Sequence, residues 1–163
     1  MNQKNNKLIS SLDSLVELCN RHRSNGNKII MTNGCFDILH TGHIYLLNEA
    51  KKLGDLLIVA LNSDSSVKLN KGSTRPINIE LDRAYVLSAV QNVDYIIIFD
   101  EETPEKVICT ILPDILVKGS DYKDKYIAGQ QCLERIGKKI TLIDLIEGKS
   151  TTNLINKLDN ISS

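Results

Sequence analysis

With 163 residues, 20 basic and 20 acidic side chains and a formal net charge of zero, the chain is long enough for one core and lacks the basic excess of a general nucleic-acid binder. An anionic ligand must therefore meet a local site rather than the field of the whole molecule. Residues 1–7 are polar, no apolar run approaches the roughly 20 residues of a membrane span, and Cys19, Cys35, Cys109 and Cys132 are scattered without a Cys-x-x-Cys pair, which predicts a soluble cytoplasmic protein in a reducing compartment.

Leu8, Leu12, Leu15, Val16 and Cys19 recur at helical spacing and predict an amphipathic helix over residues 8–24. A short strand over residues 28–32 follows, then Asn33-Gly34, then a helix over 41–53. The near-continuous apolar runs at 56–61, 94–99 and 114–117 read as strands buried on both faces of a parallel sheet. Helices fit between them at 79–90 and 104–112, the second with Thr103 as cap and Pro104 in its first turn. A last strand at 139–143 and a helix over 150–159 capped by Ser150 complete the pattern. Strand–helix alternation over one core predicts an α/β fold, a Rossmann-like doubly wound parallel sheet in three layers α/β/α, with its core at about 28–145 and a single domain over 1–163. Residues 62–78 break the alternation as a long polar connection after a core strand, where ligands of open α/β sheets bind.

The stretch from Thr32 to His43 carries the chemistry: Gly34-Cys35-Phe36-Asp37-Ile38-Leu39-His40-Thr41-Gly42-His43 follows the first core strand and opens a helix. A helix N-terminus presents unpaired N–H groups and partial positive charge to phosphate. Gly34 and Gly42 let backbone approach such a ligand, and His40 and His43, three apart at the helix start, turn toward the same anion. Either imidazole donates a hydrogen bond to a phosphoryl oxygen, and protonation would add charge. His22 reads as an ordinary polar residue. Cys35 reads as a small buried residue, with a reactive thiol as the alternative.

This stretch resembles the Gly-x-Phe-Asp-x-x-His-x-Gly-His signature of the cytidylyltransferase-like nucleotidyltransferases. The resemblance implies that His40, His43, Gly34, Phe36 and Asp37 hold a nucleoside triphosphate with the help of magnesium (Mg2+), although no metal-ligand cluster stands out in the sequence. It extends through Asn62-Ser63-Asp64, Val67-Lys68, Lys71-Gly72, Arg75-Pro76, the run from Leu116 to Tyr122, and Ser150-Thr151-Thr152-Asn153, covering about residues 10–158. These features are similar to the heptose 1-phosphate adenylyltransferase branch, which makes ADP-heptose for lipopolysaccharide. The resemblance implies ATP as co-substrate, a sugar 1-phosphate as acceptor and a homodimer. That branch is usually fused to a ribokinase-like sugar kinase; such a domain is not in this sequence, so a separate kinase is expected. Lys149 stands where related cytidylyltransferases carry isoleucine.

Expected roles rest on what the resemblance implies, together with charge and position. His40, His43, Lys71 and Lys118 are the catalytic candidates. Asn33, Gly34, Cys35, Phe36, Asp37, Gly42, Asn62, Asp64, Lys68, Arg75, Arg83, Gly119, Asp121, Ser150, Thr151 and Thr152 are the nucleotide-, phosphate- or sugar-binding candidates. Lys71 and Arg75 could close over the triphosphate; Arg83 either reaches the same phosphates or stays solvated. Asp64 and Asp121 are open between magnesium and sugar hydroxyls. Two alternatives stand beside the adenylyltransferase: a cytidylyltransferase acting on glycerol phosphate or another phosphorylated alcohol, and a non-catalytic nucleotide-binding module.

Overall fold

The computed structural model describes residues 7–146, 148–149 and 151–161. Its centre is a six-stranded parallel sheet: β1 (Leu8–Ile9), β2 (Ile29–Gly34), β3 (Leu56–Asn62), β4 (Tyr95–Phe99), β5 (Ile115–Gly119) and β6 (Lys139–Ile143), in the spatial order β1-β4-β3-β2-β5-β6. β2 pairs with β3 from Ile29↔Leu56 to Gly34↔Leu61 and with β5 from Ile30↔Ile115 to Thr32↔Val117. Every residue of β3 and β5 is buried, as a sheet covered on both faces requires.

Alternate residues of one strand feed opposite layers, because strand side chains have a period of two. Ile29 and Met31 pack with Leu15 and Cys19 of α1 (Leu12–Ser24), Val107, Ile108 and Ile111 of α5 (Glu105–Ile111), and Leu133 of α6 (Gln130–Glu134). Ile30, between them in sequence, packs instead with Leu46, Leu47 and Ala50 of α2 (Thr41–Lys51) and Ala84 and Leu87 of α4 (Glu80–Ser88). The result is the Rossmann-like three-layer α/β/α arrangement that the alternation predicts. From β2 the chain winds outward through β3 and β4, then crosses back to place β5 and β6 on the other side. The reversal between β2 and β5 makes a switch point, and the crevice outside the carboxyl ends of those strands is where such sheets bind ligands.

Several boundaries differ from expectation. Residues 8–24 are not one helix: Leu8 and Ile9 pair with Ile96 and Ile97 of β4, and the helix begins only after Ser11, whose hydroxyl accepts from Ser14 N. The first core strand runs through Asn33 and Gly34 instead of stopping at Thr32. Residues 62–78 contain a helix, α3 (Asp64–Lys71), capped by Ser63 and stopped by Gly72 at φ 94°. It escapes the hydrophobic pattern because only Ser66 and Val67 on it are buried. Pro104, not Thr103, is the N-cap of α5. The short helix α6 has no counterpart among the expected elements. Against the expectation of scattered thiols in a reducing compartment, Cys109 of α5 and Cys132 of α6 form a disulfide with Cα atoms 5.7 Å apart, while Cys19 and Cys35 are free. The last helix is α7 (Thr151–Ile161); its expected cap, Ser150, lies outside the described residues. Among the described residues no helix is long and apolar enough to cross a membrane.

Candidate active site

The carboxyl end of β2 delivers Asn33 and Gly34 to the switch point, and the chain then turns sharply at Phe36, whose φ is 45°. A left-handed backbone is strained for a residue with a bulky side chain and persists where the surroundings fix it. The next residue supplies part of that fixing. The buried Asp37 carboxylate accepts from Arg75 Nε at 2.7 Å, from Ile77 N at 2.9 Å and from Asn78 N at 2.9 Å. Asn78 Nδ2 also donates to Asp37 O at 2.7 Å. Although burial opposes ionisation, these donors hold the Asp37 carboxyl below the ordinary carboxylate range.

His40 is the N-cap of α2 in extended conformation, and its side chain makes no cap bond, so the ring is left for the crevice. One turn on, His43 stacks against it, with centroids 3.8 Å apart and 26° between planes. The Phe36 ring also packs near His43, 4.9 Å away at 46°. Gly34 permits this: a Cβ there would meet the Phe36 ring at 3.1 Å. Burial, with His40 beside it, pushes the His43 imidazole down to about 4, and burial also lowers His40. Both rings are thus neutral at neutral pH and offer N–H donors, so the charge that protonation would add is not present there. Their Nδ1 atoms and Asn33 Oδ1 are buried without a hydrogen-bond partner among the described residues. Buried polar atoms are rarely left so, and these are free to meet a bound ligand.

The facing wall comes from β5. Lys118 is 5% exposed, its Nζ 4.4 Å from the centroid of the Tyr122 ring. Burial lowers its pKa to about 8, against the opposing pull of Asp121 and Cys35. Its ammonium has no hydrogen-bond or ion-pair partner among the described residues. A buried cation in that state is costly until an anion arrives. Gly119 makes room beside it, since a Cβ there would lie 2.6 Å from Asp121 Oδ1 and 2.9 Å from Leu145 Cδ2. Thr32 Oγ1 donates to Val117 O at 3.0 Å, locking the two strands together at the switch point.

Between these walls lies a cavity of about 530 Å³, within the usual range for small-molecule sites. The structure gathers on it His40, His43, Lys71 and Lys118, with Asn33, Gly34, Cys35, Phe36, Asp37, Gly42, Asn62, Arg75, Gly119, Asp121, Thr151 and Thr152. Burial raises the Cys35 thiol pKa, which suits a packing role. Three candidates lie off the cavity wall. Lys68 is exposed to solvent. Arg83 neither stays solvated nor faces the cavity: only 2% exposed, it donates to Asn78 O, Cys35 O and Asn62 O and pairs with Asp64 at 2.8 Å. Asp64 is thereby committed to Arg83. Ser150 lies outside the described residues. The cavity also includes residues that are not site candidates from sequence: Asn70, Thr103, Pro104, Tyr122, Tyr126, Leu145 and Lys149. Thr103 and Pro104 closely follow the carboxyl end of β4, so the rule that ligands bind at strand ends would have found them.

Comparison with known proteins places this geometry. Residues 31–163 match the cytidylyltransferase-like family. The bifunctional protein HldE of Wolinella succinogenes is 50% identical over 150 residues, 92% of this chain and 31% of that protein. HldE of Campylobacter fetus is 53% identical over 145 residues, 89% of this chain and again 31% of the relative, so the chain spans under a third of the length of these proteins. The crystal structure of a lipopolysaccharide core biosynthesis protein from Thermoplasma volcanium is 34% identical, with a TM-score of 0.60 over 74% of this chain and 98% of that one. A pantoate–β-alanine ligase from Francisella tularensis, at 16% identity and a TM-score of 0.63 over 94% of this chain and 77% of its own, shares the fold. With the signature in place at the switch point and the match running over most of its length, the chain is a nucleotidyltransferase and belongs to the cytidylyltransferase-like family.

Proposed function

We propose that the chain transfers AMP from ATP to a heptose 1-phosphate, giving ADP-heptose and pyrophosphate for a bacterial surface glycan such as lipopolysaccharide. The observation that carries this reading is one cavity lined both by a buried Lys118, unpaired among the described residues, and by a neutral, stacked His40–His43 pair. A phosphate oxygen of the sugar attacks the α-phosphorus of ATP, the new P–O bond forms, and the bond to the β-phosphate oxygen breaks as pyrophosphate leaves. The second pKa of a phosphate monoester is about 6, so the nucleophile is already ionised and needs no general base. The barrier lies in bringing anions together, and positioned donors and charge lower it. His40 and His43 serve as N–H donors to the triphosphate, the α2 N-terminus adds backbone donors, and Lys118 and Lys71 supply positive charge.

Magnesium, when bound, neutralises charge on the phosphates of the triphosphate. Such ions take phosphate oxygens, water and one or two carboxylates. Asp121 fits as that carboxylate, since it lines the cavity and its ion pair with Lys125 spans 3.8 Å; Asp37 is occupied by Arg75 and backbone donors. Among the described residues no group of three His, Cys, Asp or Glu is placed to hold a metal ion. We further place the protein in the cytoplasm, as a homodimer fed with sugar 1-phosphate by a kinase.

The test is pyrophosphate release with magnesium, heptose 1-phosphate and either ATP or CTP, with His43→Ala as control. Release with ATP that collapses in the variant is the expected result. Release with CTP alone would keep the mechanism and replace the base. No release with either, followed by release with glycerol phosphate or another phosphorylated alcohol, would replace the acceptor; silence across that panel would leave a binding module.

A further inference from the structure

Arg83 is among the largest fully buried side chains of the protein, yet it lines no part of the cavity. Burying a guanidinium is costly unless its donors are satisfied, and here four of its five N–H groups make hydrogen bonds. Nη1 donates to Cys35 O at 2.6 Å and to Asn62 O at 2.7 Å, Nε to Asn78 O at 2.9 Å, and Nη2 to Asp64 Oδ1 at 2.8 Å. One planar group thus joins the signature loop, the end of β3, the start of α3 and the segment before α4. The residue after Phe36 is held to the same segment, because Asp37 takes Arg75 Nε and the N–H groups of Ile77 and Asn78. Phe36, left-handed at φ 45°, sits between these two anchor points, and its ring contacts His43.

We propose that Arg83 is a positioning residue: with Asp37 it pins the left-handed backbone of Phe36 from either side and so sets the Phe36 ring against His43. Its role runs through the loop and not through contact with phosphate. Arg83 occurs at i−4 from Leu87, so α4 carries it on its buried face, directly beneath the loop. Lysine at this position keeps the charge but cannot reach three carbonyls and a carboxylate at once. The consequence for catalysis rests on the nucleotidyl-transfer reading above; the geometric claim does not.

The experiment therefore begins with a measurement on the protein alone. Arg83→Lys and Asp37→Asn are compared with the wild type by NMR, tracking the Phe36–His43 ring contact and the titration of the His43 ring, with folding checked by circular dichroism. The groups facing His43 are the His40 ring and the Phe36 ring, and among the described residues no carboxylate contributes to its low pKa. Loss of the ring contact and an upward move of the His43 titration from about 4, in a folded variant, is expected. An unchanged ring contact and titration in folded variants would overturn the proposal, whatever happened to thermal stability. If Arg83→Lys does not fold, Asp37→Asn, which leaves the guanidinium in place, decides in the same way. In turnover, misplacement by about 1 Å costs up to ~100-fold, so kcat should drop by more than ~10-fold in Arg83→Lys with KM for ATP nearly unchanged. A wild type without turnover would sink the functional reading and leave the NMR result to judge the clamp.

Discussion

His40 and His43 lie face to face, 3.8 Å between centroids, with both Nδ1 atoms buried and unpaired among the described residues. Two stacked imidazoles cannot easily share positive charge, and burial works against it too. The native state therefore binds a proton at His43 less readily than the unfolded chain, whose value is 6.5 against about 4 in the fold. Stability is full above pH 6.5 and falls as pH drops toward 4. Between about pH 7 and pH 5 this contributes a loss on the order of 2 kcal/mol. Urea unfolding at the two pH values should show that loss in the wild type and a clearly smaller one in His43→Gln. Asp37 and Asp114, whose pKa values are lowered, do not blur the comparison, since their stabilisation is lost only in more acid solution. Equal losses in both proteins would contradict the buried neutral stack.

Lys118 leads to the opposite limb of the pH scale. Its ammonium loses its proton at about 8, and with it goes the charge that β5 aims at the cavity. The kcat/KM for nucleotidyl transfer should fall above pH ~8, because that parameter reports groups of the free enzyme. Lys118→Arg should move the fall to higher pH. Lys118→Met should lower the rate by ~100-fold or more, while leaving the thermal transition unchanged or raised, since it removes a buried unpaired charge. A Lys118→Met protein with normal turnover would remove the residue from the mechanism.

How much of this is legible in the sequence depends on whether a residue's role is local. The strands β3, β4 and β5 announce themselves as apolar runs, and the signature places His40 and His43 on a helix start whatever the rest of the chain does. Lys118 is legible because it ends a core strand. Arg83 misleads because a charged residue on an amphipathic helix normally faces water. Its spacing of four from Leu87 is the available sign that it faces inward, but its four partners come from segments up to 48 residues away. Helix α3 has a cap signal in Ser63 and no apolar stripe, since it covers the sheet end with little more than Val67. Leu8 and Ile9 fit the helical spacing of Leu12, Leu15 and Cys19, and only a long-range pairing with β4 makes them a strand. The Cys109–Cys132 pair is likewise a product of α5 and α6 meeting, which spacing does not reveal.

Gly42 separates folding from function. A Cβ there would lie 3.0 Å from the His40 ring and 3.1 Å from Lys149 O, so Gly42→Ala must push the ring by a few tenths of an ångström. The same change favours the helix by roughly 0.5–1 kcal/mol, because alanine loses less backbone entropy than glycine. Thermal unfolding should be nearly unchanged while turnover falls about tenfold or more through the displaced imidazole. Unaltered turnover would mean that the ring's position tolerates more than a donor to phosphate should.

The two lysines of α3 give the sharpest contrast between position and mere charge. Both lie exposed in its last turn, three residues apart, but Lys71 lines the cavity and Lys68 does not. A solvated charge is screened within about 8–10 Å at ordinary ionic strength, so Lys68 contributes little to a triphosphate it does not touch. Lys71→Ala should therefore lower kcat/KM for ATP by ~10-fold or more, and Lys68→Ala by no more than about twofold. Raising the salt concentration should narrow the wild-type advantage over Lys71→Ala only modestly if the lysine contacts phosphate within the cavity. Equal losses in the two variants, both abolished by salt, would instead describe α3 as a basic surface that attracts nucleotide from a distance.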